Sequence, residues 1–269
     1  MEILAYLASV LIGISLGMIG SGGSILTVPV LVYLMHINPL LATTSSLFIV
    51  GTTSLVGGLR AYLKKQVDFR AITEFGIPSI FSIFVTRHYL LPALPDRLFA
   101  IGNFVVTTDI FLMILFAVLM LAASITMIVN HNESNSPEFT ATERRDKVLP
   151  MLLLGLVIGV VTGLLGAGGG FLIIPSLVLF LRLPMKTAVG TSLLLIAINS
   201  LFGFLFSLKQ FEYNWTILIL FTLLAIAGIF IGSKLADKVR GSTLKRGFGW
   251  FVLVMGIYII VKELFFPEI

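Results

Sequence analysis

The chain has 269 residues, 58% of them hydrophobic and only 12% charged, with a formal charge of +5 and no cysteine; its mean hydropathy is +1.08. A soluble domain of this length cannot hide so much apolar surface, which makes this an integral membrane protein and excludes disulfide and thiolate-metal chemistry. In a bilayer the excess of Lys and Arg belongs to cytoplasmic loops, so it implies no nucleic acid partner.

The first apolar run, Ile3 to about Gly17, falls short of the ~20 residues a full crossing needs. The start Met1-Glu2-Ile3 carries no basic segment, so no cleaved signal is expected. Gly20, Ser21, Gly22 and Gly23 break the run, and Ser24 is the expected N-cap of a second short run that ends near Met35 with Pro29 inside it. A full-length run, Leu41 to Leu63, opens with the hydroxyl cluster Thr43, Thr44, Ser45 and Ser46 and is bounded by Lys64, Lys65 and Arg70. Ala71–Leu91 and Leu98–Val129 follow. Glu74 and Arg87 stand near run ends and are expected to be solvated, which leaves no basic residue deep in any run. Asn130 to Lys147 is the long polar stretch and reads as a linker. The plan then repeats: Val148–Leu165, a break at Gly166–Gly170, a short run to Leu181, and full-length runs at Thr187–Leu208, Trp215–Ala236 and Phe248–Phe265.

The repetition is literal at the glycines. Gly13, Gly17, Gly20, Gly22, Gly23 and Pro29 return as Gly159, Gly163, Gly166, Gly168, Gly169 and Pro175, every pair separated by 146 residues. The same offset pairs Ala42 with Ala188, Ser46 with Ser192, Ser54 with Ser200 and Gly57 with Gly203. Chance similarity between apolar segments reproduces Leu and Val, not spaced glycines, so the chain is an internal duplication. Its repeats are residues 1–129 and 148–269, joined by the linker 130–147. If each half makes an odd number of crossings, fourteen of the 18 Lys and Arg fall on the linker's side: those from Arg60 to Arg70, Arg144 to Lys147, Arg182 with Lys186, and Lys234 to Arg246. Only Arg87, Arg97, Lys209 and Lys262 lie opposite. The positive-inside rule then places the linker in the cytoplasm, both termini outside and the two halves antiparallel. The expected fold is all-α: two inverted-topology repeats, each a Gly-broken pair of short helices followed by three transmembrane helices.

Paired, Gly-interrupted short segments point to a transporter's binding site. A helix start offers unpaired N–H groups and about half a positive charge, and glycine lets a ligand reach the backbone. The clusters Gly20, Ser21, Gly22, Gly23, Ser24 and Gly166, Gly168, Gly169, Gly170 are therefore candidates for holding an anion without Lys or Arg. Gly13 with Gly17 and Gly159 with Gly163 read instead as small-residue helix packing. Ser45, Ser46, Thr191, Ser192 and Asn199 are uncharged groups that suit either an oxyanion or interhelical hydrogen bonds. Asp109, a carboxylate inside an apolar run, is a candidate proton carrier. No Lys-Ser/Thr pair follows the glycines, so a phosphate loop is excluded. A serine protease would need a base near Ser21, and no histidine lies inside an apolar run. His36, His88 and His131 fall in loops or at interfaces, and no metal site or cofactor is expected.

The twice-used pattern G-x3-G-x2-G-x-G-G with its downstream proline, followed by Ala188 to Ser192, Glu212-Tyr213-Asn214-Trp215 and the small residues Gly228 to Gly232, resembles the TauE/SafE sulfite exporter family. The resemblance covers nearly the whole chain. Ser82 and Thr86 stand where Gly228 and Gly232 do in the second half. The resemblance implies a secondary transporter, not an enzyme, exporting a small sulfur-containing anion such as sulfite or an organosulfonate across a bacterial inner membrane. Alternating access would come from one half rocking against the other, with a passive anion channel and an intramembrane protease as the rival classes. The oligomeric state is not legible.

Overall fold

The computed structural model describes residues 2–20, 23–95, 97–101, 104–129, 148–166, 168–236 and 241–265. Ser21, Gly22 and the linker 130–147 lie outside the described residues. The first half runs α1 (Glu2–Ile19), α2 (Ser24–Tyr33), α3 (Pro39–Leu63), α4 (Phe69–Val85, carried on by a π turn Thr86–Leu90 and a last turn to Ala93), a hairpin β1 (Arg97–Ile101) and β2 (Phe104–Thr107), and α5 (Thr108–Val129). The second runs α6 (Val148–Leu165), α7 (Gly170–Leu181), α8 (Met185–Ser207), α9 (Trp215–Ala236) and α10 (Gly241–Phe265). Among the described residues six helices are long and apolar enough to cross a membrane: α3, α4, α5, α6, α8 and α9. At 18 residues, α6 is not short.

Local chemistry sets the boundaries. The Asn38 side chain accepts from the Leu40 and Leu41 amides at 2.9 and 3.4 Å and Pro39 opens α3 with no donor to satisfy. Asp68 caps α4 through the Ala71 amide at 2.9 Å. Ser24 is not the cap of α2; that place belongs to Gly23, with Ser24 the buried first residue of the helix. Gly168 and Gly169 both hold φ of +66°, a left-handed turn that a side chain would strain, and this reverses the chain into α7. The long run expected from Leu98 begins instead as the hairpin, with Arg97 facing Thr107 and Ile101 facing Phe104. Its β-branched Val105, Val106 and Thr107 favour extended backbone over helix.

α3 and α8 form the centre. Their membrane windows are 61% buried, against 39–44% for the other four candidate spans. They cross antiparallel: Leu47 lies against Gly203, Gly51 against Leu201, Gly58 against Leu194 and Ala61 against Gly190. Around them the first helix of each half packs on the fourth helix of the other, α1 on α9 and α6 on α4. A Cβ on Gly13 would meet Ala225, and one on Gly159 would meet Ser79, and these two contacts are related by the same 146-residue offset with the halves exchanged. Small residues are what let these backbones touch. The outward faces stay apolar: Leu4, Leu7 and Leu11 on α1 and Leu149, Leu153 and Val157 on α6 are more than half exposed, as lipid-facing positions should be.

Candidate functional site

The two glycine clusters approach the α3–α8 pair from opposite ends. Gly20, at φ +83°, sits on Val189 in the first turns of α8. Gly166, at φ +67°, sits on Thr43 in the first turns of α3. The second break then runs inward, and Gly168 lies against Val50 of α3 and against Ile196 and Ser200 of α8, near the middle of the pair. Gly23 and Gly169 face their own preceding helices, Ile12 with Leu16 and Ile158 with Thr162. The Cβ those two glycines lack would strike protein.

Both helices of the pair carry buried polar side chains. Ser46, Thr53, Ser54 and Ser200 are buried with hydroxyls that have no hydrogen-bond partner, as is the side-chain oxygen of Asn199. The Asn199 amide nitrogen donates to the Ser79 hydroxyl of α4 at 2.8 Å, so this amide ties α8 to α4. Ser45 is buried on α3. Other sequence candidates are committed locally: the Ser192 hydroxyl donates to the Val189 carbonyl at 2.8 Å, and the Thr191 hydroxyl accepts from the Asp68 amide at 2.9 Å. Ser24 and Gly170 are buried at their helix starts. Asp109 lies in the first turn of α5, where its carboxylate accepts from the Asn38 side chain at 2.9 Å. A carboxylate there is favoured by the helix dipole.

Arg87 contradicts the sequence expectation of a solvated run end. It is 0% exposed, the largest fully buried side chain in the described protein. α4 does not stop at Val85; its π turn and last turn carry the backbone to Ala93, which keeps Arg87 inside the bundle. Nη1 donates to the Thr44 hydroxyl at 2.7 Å, Nη2 reaches the Thr43 hydroxyl at 3.4 Å, and Nε has no partner. Among the described residues the ion pair within 4 Å is Arg70 with Glu74, which is also where Glu74 is placed, 13% exposed; Arg87 has no such partner. Gln210 donates to the Arg87 carbonyl at 3.3 Å from the loop after α8. In the same loop the Tyr213 hydroxyl donates to the Ser207 carbonyl at 2.9 Å. Burial pushes the Tyr213 phenol up to about 12, although the nearby Arg87 charge pulls the other way. One signal for Arg87 was available: Ile83, Phe84, Leu90 and Leu91, its neighbours one helical turn away, include no acid to pair with it at a surface.

Residues 5–259 match the family described as sulfite exporter TauE/SafE. The chain belongs to this family. Among its relatives, a probable membrane transporter protein of Xylella fastidiosa strain Temecula1 is 29% identical over 263 residues, covering 94% of this chain and 92% of that protein. One of Methanocaldococcus jannaschii is 27% identical over 94% of each chain. The probable membrane transporter protein YunE of Bacillus subtilis is 27% identical over 96% of each. No solved structure matches the chain. Its TauE/SafE membership and apolar helices make it a multi-pass membrane transporter.

Proposed function

We propose that this transporter carries a small sulfur-containing anion, sulfite or an organosulfonate, outward across a bacterial inner membrane as a secondary carrier. The carrying observation is the set of buried side-chain oxygens without hydrogen-bond partners on the central helices α3 and α8: those of Ser46, Thr53, Ser54, Asn199 and Ser200. A buried hydroxyl without a hydrogen bond costs about 1–3 kcal/mol, so a seam of them is an expense that a polar solute offsets. The hydroxyls are uncharged donors, and the left-handed turn at Gly168 and Gly169 brings the start of α7 to the same place. A helix start adds N–H donors and a positive dipole end. The anion is held between the two breaks, by Gly20 to Ser24 with Ser45 and Ser46 from one half and by Gly166 to Gly170 with Thr191, Ser192 and Asn199 from the other.

The halves, 1–129 and 148–269, are inverted repeats with both termini outside and the linker cytoplasmic; the antiparallel α3–α8 pair and the exchanged α1–α9 and α6–α4 contacts support this. Those contacts also change the moving parts. Backbones in touch at Gly13 and Gly159 do not slide apart easily, so the rocking units are α1 with α9 and α4 with α6, each drawn from both halves, turning about α3 and α8. Asp109 is the candidate carrier of a coupling proton. The test is counterflow in proteoliposomes, with sulfite, sulfoacetate, sulfate, taurine and carboxylates offered in turn. Saturable counterflow of sulfite or a sulfonate is expected. Ion currents far above carrier turnover, or movement of no sulfur-containing anion, refute the reading.

A further inference from the structure

We propose that Arg87 is the fixed positive charge that receives the oxyanion head of the solute at the end of the molecule where α3 begins. This rests on the anion-carrier reading and gives its site a charge and a side. The first ground is electrostatic. A cation buried without a counter-charge costs several kcal/mol, and no carboxylate among the described residues lies within salt-bridge reach of Arg87. Two threonine hydroxyls are poor compensation, and a neutral glutamine would serve them as well. A charge kept in such a place has a use, and its use is an anion from outside the chain.

The second ground is geometric. A guanidinium takes a sulfonate, sulfite or carboxylate head through two parallel N–H donors along one edge. In Arg87 the Nη1 side is taken by Thr44, while Nε is without a partner and Nη2 has only the long contact to Thr43. The edge that suits an oxyanion is the one the protein leaves least engaged. Thr43 also lies against Gly166, the first residue of the second break, so the charge stands where that break begins its course toward the seam.

The third ground is what covers it. Arg87 belongs to α4, and its neighbour Thr86 touches Gly163 of α6, within one of the two proposed moving units. Its hydroxyl partners come from elsewhere, Thr43 and Thr44 from α3, and Gln210 of the loop after α8 holds its backbone carbonyl. Turning the α4–α6 unit against the central pair uncovers the guanidinium at that end alone, because the position equivalent to Arg87 in the second half is Ser233. At the opposite end Ser233 instead accepts a hydrogen bond from Arg60. The two ends therefore differ in which helix supplies the charge and in its depth: Arg60 of α3 is only part-buried, whereas Arg87 is fully buried.

The test is isothermal titration of the full-length protein with sulfite and with sulfoacetate, for wild type, Arg87→Gln and Arg87→Lys, together with the ligand-free thermal midpoint of each. The expected loss of affinity is about 100-fold in Arg87→Gln, in the range for removing one partner of a buried charge pair. About tenfold is expected in Arg87→Lys, which keeps the charge and loses the fork. The ligand-free midpoint of Arg87→Gln is expected to equal or exceed that of wild type, whereas a purely structural arginine would lower it. A folded Arg87→Gln protein that binds within about threefold of wild type overturns the proposal while the carrier reading stands. If that variant does not fold, Arg87→Lys decides: a tenfold loss supports the proposal and wild-type affinity overturns it. A wild type that binds neither anion removes the carrier reading and this proposal together.

Discussion

Gly13→Ala separates packing from binding. A Cβ at this position would lie 2.8 Å from the carbonyl carbon of Ala225 and 3.0 Å from its Cα, and closer still to its carbonyl oxygen. All three are backbone atoms in the middle of α9, so no rotamer change relieves the clash and the two helices must part. The same contact includes Gly17 against Ile229 and Gly232 against Ile14, so the separation spreads along the pair. Overpacking of this kind costs about 1–3 kcal/mol, and each kcal/mol moves the midpoint of a chain this size by about 2–4 °C. Gly76→Ala is the control: the new Cβ would meet the side-chain tips of Leu195, at 3.2 Å, and Ile72, at 4.0 Å, and alanine favours the helix. Thermal unfolding in one detergent compares the two, with titration of the best ligand alongside. Gly13→Ala should lose several degrees and keep its affinity per folded molecule, while Gly76→Ala should be near neutral. A Gly13→Ala midpoint no lower than that of Gly76→Ala refutes the close-packing argument. The reasoning extends to Gly23→Ala and Gly169→Ala. Their new Cβ atoms would strike Ile12 with Leu16 and Thr162 with Ile158, so any affinity they lose has to be read beside their stability.

A membrane-impermeant thiol reagent should label Glu2→Cys and spare Ser136→Cys in intact cells, since the chain has no cysteine of its own; the converse pattern inverts the topology. Asp109→Asn should abolish pH-driven transport and leave anion binding intact; normal pH-driven transport refutes the proton role and leaves Asp109 a structural partner of Asn38. Tyr213 should keep its proton until about pH 12. The stability this neutral phenol contributes is whole below the ordinary phenol value of about 10 and is lost as pH rises through the folded one. Ultraviolet difference absorbance should find a late-titrating phenol in wild type that is missing in Tyr213→Phe, and equal titration curves refute the burial.

The spans were legible because apolar length is the strongest signal a membrane chain carries, and the 146-residue spacing of the glycines is plain in the sequence itself. The 146-residue offset even holds for contacts, as Gly13 with Ala225 and Gly159 with Ser79 show. Which helix meets which was not legible, since hydropathy has no memory of partners. The burial of Arg87 was not legible because the end of an apolar run is not the end of the bundle: the π turn and the loop bearing Gln210 extend the packed region beyond it. The hairpin from Arg97 to Thr107 had a local sign in Gly102-Asn103 followed by β-branched residues, but the long hydrophobic run around it hid the change of period. Ser24 missed its cap by one residue because Gly23 is held against Ile12 and Leu16, where no side chain fits.

The exchange of first helices has a genetic consequence. Neither half closes its own surface: α1 finds its seat on α9 and α6 finds its seat on α4, like the fingers of clasped hands. A gene encoding one half alone would make a product with a small-residue face on its fourth helix and a first helix whose seat lies on the other half. Two such products would complete one another by the contacts that now lie within a single polypeptide. Fusion then adds permission to diverge. Once the two copies are written separately, an arginine can be kept at one position and a serine at its counterpart, and a pair that was bound to be alike acquires a front and a back.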